Sequence, residues 1–429
     1  MTAFNVPYGD SLLGFEIPEG EVLFKGEMNE LPELADLEGE VVRAVERPIG
    51  TAPLSELAAG KKHVLILIED YTRRTPLDRI LPVLVSCLNK YGVPDDCVSF
   101  LTAPGTHRLM TEAEIEAKIG PEMARRFRVT QHDASDLSSM RDLGAVRVGG
   151  LEIPVLVNAM AAEADLLIGL GSIVPHPDAG FSGGAKIVQP GICGHATTAA
   201  THLAAALLPV IPLGDANTPA RAGMESVAAT VGLSFILNAV PNASGGVTAL
   251  VAGDFVKAHR AGAEIARRIY RVGIPRRADI VVAASYPCDA DFWQASKGLV
   301  AGSFAVREGG ILIFVSPCRE GLADAHPELE RWLSLSVAEA SALARSQSAS
   351  IGAGDLDFVS ADVALNNARI RERCAVFTVS GGLSPRETAQ LGHEKFASVQ
   401  DALDEARRRL PGASLGIIPR AGVSLPEIA

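Results

Sequence analysis

Residues 176–202, HPDAGFSGGAKIVQPGICGHATTAATH, contain three histidines, one lysine and five glycines. Histidine acts as a general acid or base near neutral pH and also as a metal ligand. A lysine that follows flexible glycines can act as a covalent anchor or a nucleophile. The segment is therefore compatible with a metal site, a phosphate-holding loop, a reactive lysine, or a plain loop that leads into a helix.

The spacing of these residues matches no familiar template. His176 and His195 are 19 residues apart and His195 and His202 are seven apart, whereas zinc hydrolases use closer sets such as HExxH. A metal held by one protein histidine and by atoms of a cofactor remains compatible with the sequence. FSGGAK also lacks the GxxxxGK[ST] spacing of a nucleotide-triphosphate loop. Gly183 and Gly184 would let a bulky group approach the backbone, and the alternative is a turn with a solvated Lys186.

Three further polar clusters carry side chains suited to binding a small anion. They are DYTRRTP (70–76), APGTHR (103–108) and SYPCDADFWQASKG (285–298). Arg73 is suited to a bidentate grip on a carboxylate. Gln294 and Lys297 are three residues apart and would share a face of a helix. Taken singly, these clusters are equally compatible with capped turns and a helix start.

The nine histidines fall into two groups. His107, His176, His195 and His202 lie in or beside the polar clusters, where a chemical role is plausible on position alone. The others are predicted to be ordinary surface or core residues; they are His63, His132, His259, His326 and His393.

The elements that position these clusters are short apolar runs followed by stretches of helical period. The runs are HVLILI (63–68), VSFL (98–101), DLLIGL (165–170), DIVVAA (279–284), GILIFV (310–315) and SLGIIP (414–419). Strands that alternate with helices predict an α/β protein with mainly parallel sheets. The polar clusters follow four of these runs, at carboxyl strand ends, where open α/β sheets bind ligands. We therefore expect one active-site cleft between two α/β domains.

A domain boundary is predicted near Pro275. Residues 254–272 have the pattern of a long helix, which would leave through Gly273 and Pro275 into a new strand. The expected domains are residues 1–274, which carry most of the site, and residues 275–429, which contribute Gln294 and Lys297. The length of 429 residues also favours two domains.

The composition indicates which kind of partner the protein binds and in which cellular compartment it is expected. A formal net charge of -12 argues against nucleic acid and against an anionic membrane surface, so the expected partner is a small molecule. The six cysteines are scattered and the first residues lack a secretory signal pattern, so we expect a cytoplasmic protein. Assembly into a homo-oligomer stays open.

Five motifs occur in order from about residue 68 to residue 298: DYTRRTP, APGTHR, HPDAGFSGGAKIVQPG, TTAATH and FWQASKG. Together they resemble the motifs of the nickel-dependent lactate racemase family. The resemblance implies an isomerase that racemises or epimerises a small 2-hydroxy acid. It also implies a nickel-pincer nucleotide as cofactor, a modified nicotinic acid mononucleotide that separate cofactor-synthesis enzymes must supply.

The resemblance implies a role for each matching residue. Lys186 would be the covalent tether of the cofactor and His202 the nickel ligand. His107 and His176 would be the paired acid/base histidines. The remaining polar and glycine positions would surround cofactor and substrate: Asp70, Gly183 and Gly184 on the cofactor, and Arg73, Gln294 and Lys297 on the substrate.

The chemistry implied by the resemblance is reversible hydride transfer. The hydrogen beside an ionised carboxylate is a poor acid, and its removal as hydride gives a 2-oxo acid instead of a carbanion. Return of the hydride to the opposite face inverts the carbon, and two histidines manage the hydroxyl proton. The alternatives are a metal-dependent hydrolase that uses His107, His176 and His202, and a non-catalytic protein that binds small acids.

The sequence departs from the family pattern at two positions. Arg74 and Thr75 stand between the motif arginine and Pro76, and Tyr71 occupies a position where histidine is common. We hypothesise that Arg74 favours a substrate with a second carboxylate or several hydroxyls. His195 matches no family role and is predicted to be structural.

Overall fold

The computed structural model describes residues 1–148, 151–323, 326–347 and 358–429. Its strands are β1 (Thr2–Tyr8), β2 (Ser11–Ile17), β3 (Val22–Lys25), β4 (Val64–Ile68), β5 (Val98–Thr102), β6 (Val129–Gln131), β7 (Met140–Val148), β8 (Leu151–Asn158), β9 (Leu166–Ser172), β10 (Pro175–His176), β11 (Gly180–Phe181), β12 (Leu233–Pro241), β13 (Val247–Gly253), β14 (Arg271–Ile274), β15 (Ala278–Ala284), β16 (Val306–Val315), β17 (Ala375–Val379), β18 (Glu394–Phe396), β19 (Leu415–Ile418) and β20 (Leu425–Ile428).

The helices alternate with these strands. They are α1 (Leu37–Glu46), α2 (Leu54–Leu57), α3 (Leu77–Lys90), α4 (Glu112–Ile119), α5 (Pro121–Arg126), α6 (Ala159–Ala162), α7 (His195–Ala206), α8 (Pro219–Val231), α9 (Lys257–Tyr270), α10 (Phe292–Ala305), α11 (Leu329–Leu333), α12 (Val337–Gln347), α13 (Phe358–Arg373), α14 (Pro385–Gln390) and α15 (Val399–Arg409). Among the described residues, no helix is long and apolar enough to cross a membrane.

The first sheet has the strand order β13-β12-β9-β4-β5-β6. All neighbours pair in parallel except β12 and β13, which are antiparallel. Every residue of β4 and β9 is buried, because helices and loops cover both faces of the sheet and apolar runs such as VLILI therefore suit it. The chain turns from β4 to β5 on one side and places β9 on the other, so a topological switch point lies at β4.

The second sheet has the strand order β18-β17-β16-β15-β19-β3, with every pair parallel. Its switch point lies at β15, which has β16 on one side and β19 on the other. The predicted α/β fold with two mainly parallel sheets is thereby confirmed, and the six apolar runs all form strands.

The amino-terminal residues pack with the second sheet: β3 is one of its strands, and β1 and β2 form a separate two-stranded sheet. β3 pairs with β19, and the hairpin β1–β2 buries Val6, Phe15 and Ile17 in the same apolar cluster as Ile280 and Ile313. Strands that precede residue 275 thus enter both sheets, and the division at residue 275 stays a prediction.

The helical prediction for residues 254–272 is correct for Lys257–Tyr270, and residues 254–256 form a turn before the helix. Residues 271–274 form strand β14, which pairs in parallel with β20 near the carboxyl end of the described chain. The RVGI sequence suits a strand because its valine and isoleucine are buried while Arg271 and Gly273 point outward. A distant partner strand overrides the helical pattern here.

Helix α7 links the two sheets. Its residues Ala199, Leu203 and Ala206 belong to the apolar cluster that contains α10, α13 and the second sheet, although the helix follows the loops of the first sheet. A helix rich in alanine and threonine can pack closely on both sides. This packing places the residues of α7 at the cleft between the sheets.

Candidate active site in the cleft between the sheets

One cleft gathers the loops that follow β4, β5 and β9 together with the start of α10. It encloses about 1070 Å³ of empty space, including its solvent-open mouth. Nine of the predicted site residues line it: Asp70, Arg73, His107, His176, Gly183, Lys186, His202, Gln294 and Lys297. Gly184 lies behind the lining, where its amide donates to Asn238 Oδ1 at 2.8 Å. The structure therefore brings the predicted site residues of the first sheet's loops together with Gln294 and Lys297 of α10.

His107 is oriented by Asp70. The distance from His107 Nδ1 to Asp70 Oδ2 is 2.6 Å, and the Asp70 side chain is almost fully buried. Burial by itself raises the pKa of the Asp70 carboxyl, but the charge of His107 and the hydroxyl of Thr72 outweigh burial and leave that pKa below its ordinary value. An ionised carboxylate only accepts hydrogen bonds, so Nδ1 carries a proton in either state of the ring, and in the neutral ring Nε2 is an acceptor that faces the cleft.

Gln294 and Lys297 reach the same ring from the second sheet. Asp291 caps α10 by accepting the amide of Gln294, which fixes the first turn of the helix. Gln294 Nε2 lies 3.3 Å from His107 Nε2, and Lys297 Nζ donates to Gln294 Oε1 at 2.6 Å. The predicted shared helix face is correct, and it completes a chain of polar contacts across the cleft.

His176 is held in a short two-stranded ladder, β10 with β11. Its Nδ1 accepts the amide of Asp178 at 3.2 Å, which leaves the hydrogen of the neutral ring on Nε2. Burial first, and then the charges of Lys186 and Lys297, hold the pKa of His176 well below its ordinary value. The ring is therefore neutral at neutral pH.

Lys186 lies in a single turn of 3₁₀-helix, residues Gly184–Ile187. Burial lowers the pKa of Lys186 to about 7, against the opposing charge of Asp178. Among the described residues, no hydrogen-bond acceptor is paired with its Nζ. A large fraction of this amine is uncharged near neutral pH, and an uncharged amine is the nucleophilic form.

The two glycines before Lys186 adopt backbone conformations that side chains rarely allow. Gly183 has a φ of 75°, and a Cβ at this position would lie 2.8 Å from Asn238 Oδ1 and 3.0 Å from the Ser172 carbonyl oxygen. Gly184 has a φ of 60°. Asn238 Nδ2 is buried beside this turn and has no hydrogen-bond partner in the described part of the chain. Asn238 also lines the cleft.

His202 presents its Nε2 as a ligand atom, because its Nδ1 donates to the Thr198 carbonyl at 2.9 Å. The ligand atoms of His202, Asp178 and Asp362 lie within 4.8 Å of one another. Burial and the neighbouring Asp178 raise the pKa of Asp362 well above its ordinary value. Neither His107 nor His176 belongs to this group, so the described residues give the hydrolase alternative no three-histidine metal site.

His195 and His326 lie in different places relative to the cleft. His195 is exposed at the start of α7, where its Nε2 lies 3.2 Å from Ser135 Oγ outside the cleft, as expected of a structural residue. His326, expected to be ordinary, stacks on Trp293 with ring centroids 3.8 Å apart, and its Nε2 lies 3.4 Å from Thr106 Oγ1. It therefore joins the wall of the cleft to the loop of His107, a contact that no local pattern signals.

A buried ion pair supports the loop that carries Asp70 and Arg73. Glu69 Oε1 accepts from Lys118 Nζ at 3.1 Å and from the amide of Thr75 at 3.2 Å. Lys118 Nζ also donates to the Arg73 carbonyl at 2.7 Å. Sequence reasoning missed both residues. The signal for Glu69 was its place beside Asp70 at the strand end, but Lys118 lies on α4, 45 residues beyond Arg73.

The fold and the cleft together define a class: an α/β protein with two mainly parallel sheets whose cleft gathers three histidines and several cationic side chains. Comparisons with known proteins identify the family within this class. Residues 8–209 match the family model of the lactate racemase N-terminal domain, and residues 274–425 match that of the C-terminal domain. The chain belongs to the lactate racemase family.

Individual relatives agree with this assignment. The chain is 35% identical over 328 residues to a lactate racemase from Thermoanaerobacterium thermosaccharolyticum, covering 75% of this chain and 76% of that protein. It is 32% identical over 330 residues to a lactate racemase from Lactiplantibacillus plantarum, with coverage of 75% and 76%.

Solved structures show the same fold. The lactate racemase apoprotein from Thermoanaerobacterium thermosaccharolyticum superposes with a TM-score of 0.86 at 29% identity, covering 99% of this chain and 100% of that one. A protein from Thermotoga maritima superposes with a TM-score of 0.71 at 22% identity, covering 93% and 100%. The second likeness concerns the fold alone.

Proposed function

We propose that the protein is a racemase or epimerase of a small 2-hydroxy acid and works with a nickel-pincer nucleotide tethered to Lys186. The observation that carries the proposal is that one cleft is lined by two histidines, a lysine whose pKa burial lowers to about 7, and a third histidine with a ligand nitrogen. The named activity of the relatives supports the same reaction type. The proposal also implies cofactor-synthesis enzymes as partners in the cell.

The residues of the cleft fit the proposed cofactor. Lys186 offers an amine that is nucleophilic near neutral pH, and His202 offers Nε2, an imidazole nitrogen of the kind that binds nickel. Gly183 lines the cleft without a side chain, and Asn238, which also lines it, has a buried Nδ2 donor without a partner among the described residues. When bound, the nickel-pincer nucleotide would supply a reversible acceptor of hydride.

The substrate carboxylate would bind to Arg73 and Lys297. Both line the cleft, and Arg73 contacts only Thr72 by side-chain hydrogen bond in the described structure, at 3.0 Å. A guanidinium grips a carboxylate through two parallel hydrogen bonds. Held in this way, a flat 2-oxo acid can turn its other face to the cofactor without leaving the cleft.

The two histidines would manage the hydroxyl proton. His107 accepts that proton at Nε2, and Asp70 stabilises the ring while it holds the proton. His176 faces the same cleft from the first sheet. The hydroxyl lies on opposite sides of the reacting carbon in the two enantiomers, so we assign one histidine to each: His107 takes the hydroxyl proton of one enantiomer at Nε2, and His176, whose Nε2 carries a hydrogen, returns a proton to the hydroxyl oxygen of the other. The base of one direction is the acid of the reverse direction.

Interconversion of enantiomers by the loaded enzyme tests this function. The protein is produced together with the cofactor-synthesis enzymes and incubated with single enantiomers of lactate, malate, 2-hydroxyglutarate and phenyllactate, and chiral chromatography follows the products. At least one acid is expected to reach the same mixture from either enantiomer. His107→Gln and His176→Gln should each stop both directions, whereas His195→Gln, outside the cleft, should not. Absence of interconversion for every acid, or full activity of either cleft variant, contradicts the proposal.

A further inference from the structure

A second chamber, called the side chamber here, adjoins the cleft. It holds about 820 Å³ of empty space with its mouth included and shares Arg73, His176 and Lys297 with the cleft. Its outer wall includes Arg74, Pro175, Pro241, Tyr270, Tyr286 and Pro287. Lys186 and His202 line the cleft but not this chamber. A substrate carboxylate at Arg73 would therefore have the cofactor residues on one side and an unassigned volume on the other.

The charges of the side chamber have one sign. Arg73, Arg74 and Lys297 line it together with the neutral His176, and no aspartate or glutamate of the described residues contributes to its wall. The protein as a whole carries a net charge of -12, so this cationic lining is a local feature. Such a wall favours a ligand with more negative charge than a single carboxylate supplies.

Two arginines flank the ring of Tyr286 at the outer end. The guanidinium carbons of Arg74 and Arg420 lie 5.7 Å and 5.9 Å from the ring centroid. Arg420 also donates to the Ala243 carbonyl, but within the part of the chain that the structure describes neither arginine pairs with a carboxylate. Arginines that stack on an aromatic ring keep their N–H edges directed sideways, and these edges match a carboxylate.

The side chamber lies where ligands bind in open α/β sheets. Its wall comes from loops that follow β4, β9 and β12 of the first sheet and β15 and β19 of the second. These loops include the switch points of both sheets, at β4 and at β15. Carboxyl ends of strands at a switch point form a crevice that the fold itself keeps open.

We propose that the side chamber binds the side chain of the substrate and that the preferred substrate is a 2-hydroxy dicarboxylic acid. This inference rests on the racemase function proposed above and specifies its substrate class. The first carboxylate lies at Arg73 and Lys297, the carbon chain crosses the prolines and Tyr286, and the second carboxylate lies at Arg74. Lactate, whose side chain is a methyl group, leaves the side chamber unfilled.

The test compares substrates and one arginine variant in the loaded enzyme. Values of kcat/KM are measured for 2-hydroxyglutarate, malate, lactate and phenyllactate with the unchanged protein, with Arg74→Gln and with Arg125→Gln. Arg125 is an exposed arginine on α5 and serves as the matched control. Calorimetric titration of the unloaded protein with 2-hydroxyglutarate gives a second readout that needs no turnover.

We expect a dicarboxylate to exceed lactate in kcat/KM by about tenfold or more. Arg74→Gln should lower the ratio of dicarboxylate to lactate by about ten- to a hundredfold, mainly through KM, because it removes a charge-assisted hydrogen bond. Binding of 2-hydroxyglutarate should weaken in parallel, and Arg125→Gln should change neither value.

Other outcomes separate this inference from the proposed function. If lactate is racemised faster than either dicarboxylate, the substrate class is wrong while the racemase function stands. Preference for phenyllactate would assign the side chamber to an apolar side chain and would overturn the second carboxylate site. If no acid is racemised, the proposed function fails, and the titration alone decides whether Arg74 binds a dicarboxylate.

Discussion

His107 and Asp70 form a short polar contact in the cleft, with 2.6 Å between Nδ1 and Oδ2. The buried carboxylate fixes which ring nitrogen carries the proton, because it can only accept. Nε2 then keeps its lone pair toward the cleft, where Gln294 approaches from the second sheet. The orientation of His107, and the choice of ring nitrogen that carries its proton, thus depend on Asp70.

Asp70→Asn should reduce turnover about 10²- to 10⁴-fold, since the amide of asparagine can donate to Nδ1 and so move the ring proton to Nε2. Rates of interconversion in the loaded enzyme measure the loss. Asp96→Asn, a change at an exposed position, is the control. Turnover within about threefold of the unchanged protein would show that the carboxylate does not set the state of His107.

The loop after β4 is supported by the buried ion pair of Glu69 and Lys118, which lies outside the sequence motifs. Lys118 on α4 bonds both Glu69 and the carbonyl of Arg73, and both side chains of the ion pair are only 8% exposed. Removing one member leaves a buried charge without its partner, which is strongly destabilising. The position of Arg73 therefore depends on α4.

Lys118→Met should lower the free energy of unfolding by about 3 kcal/mol and raise KM for the substrate. Chemical denaturation and steady-state kinetics measure the two effects. The double variant Glu69→Gln/Lys118→Met should recover part of the stability because no charge then remains buried. Lys90→Met, at the exposed end of α3, is the control. An equal loss of stability in Lys118→Met and Lys90→Met would contradict the supporting role.

Some residues around the cleft could be predicted from the sequence and others could not. The motif residues could be placed because each follows an apolar run, and the carboxyl ends of parallel strands meet in space. Lys118 and His326 could not be placed, since their contacts join segments far apart in the chain and leave no local pattern. Asp362 lies on α13, beyond the last motif, and no spacing connects it to Asp178.

For the whole molecule, the alternation of strands and helices predicts two parallel sheets but not which segments complete them. β3 joins the second sheet from the amino-terminal end, and β14 forms a strand with β20 inside a region of helical pattern. Both pairings join segments that lie far apart in the chain, so the local sequence pattern does not determine them. The cleft depends on how the two sheets and α7 pack together, because its residues come from all three.

The proposed cofactor site is tested by the identity of the group attached to Lys186. Protein produced with the cofactor-synthesis enzymes is digested, and mass spectrometry locates any modified peptide. The account predicts an adduct of the mass of the nickel-pincer nucleotide on the peptide that contains Lys186, and no such adduct in Lys186→Ala. Racemisation by protein whose Lys186 peptide is unmodified, or an adduct on a different lysine, would contradict it.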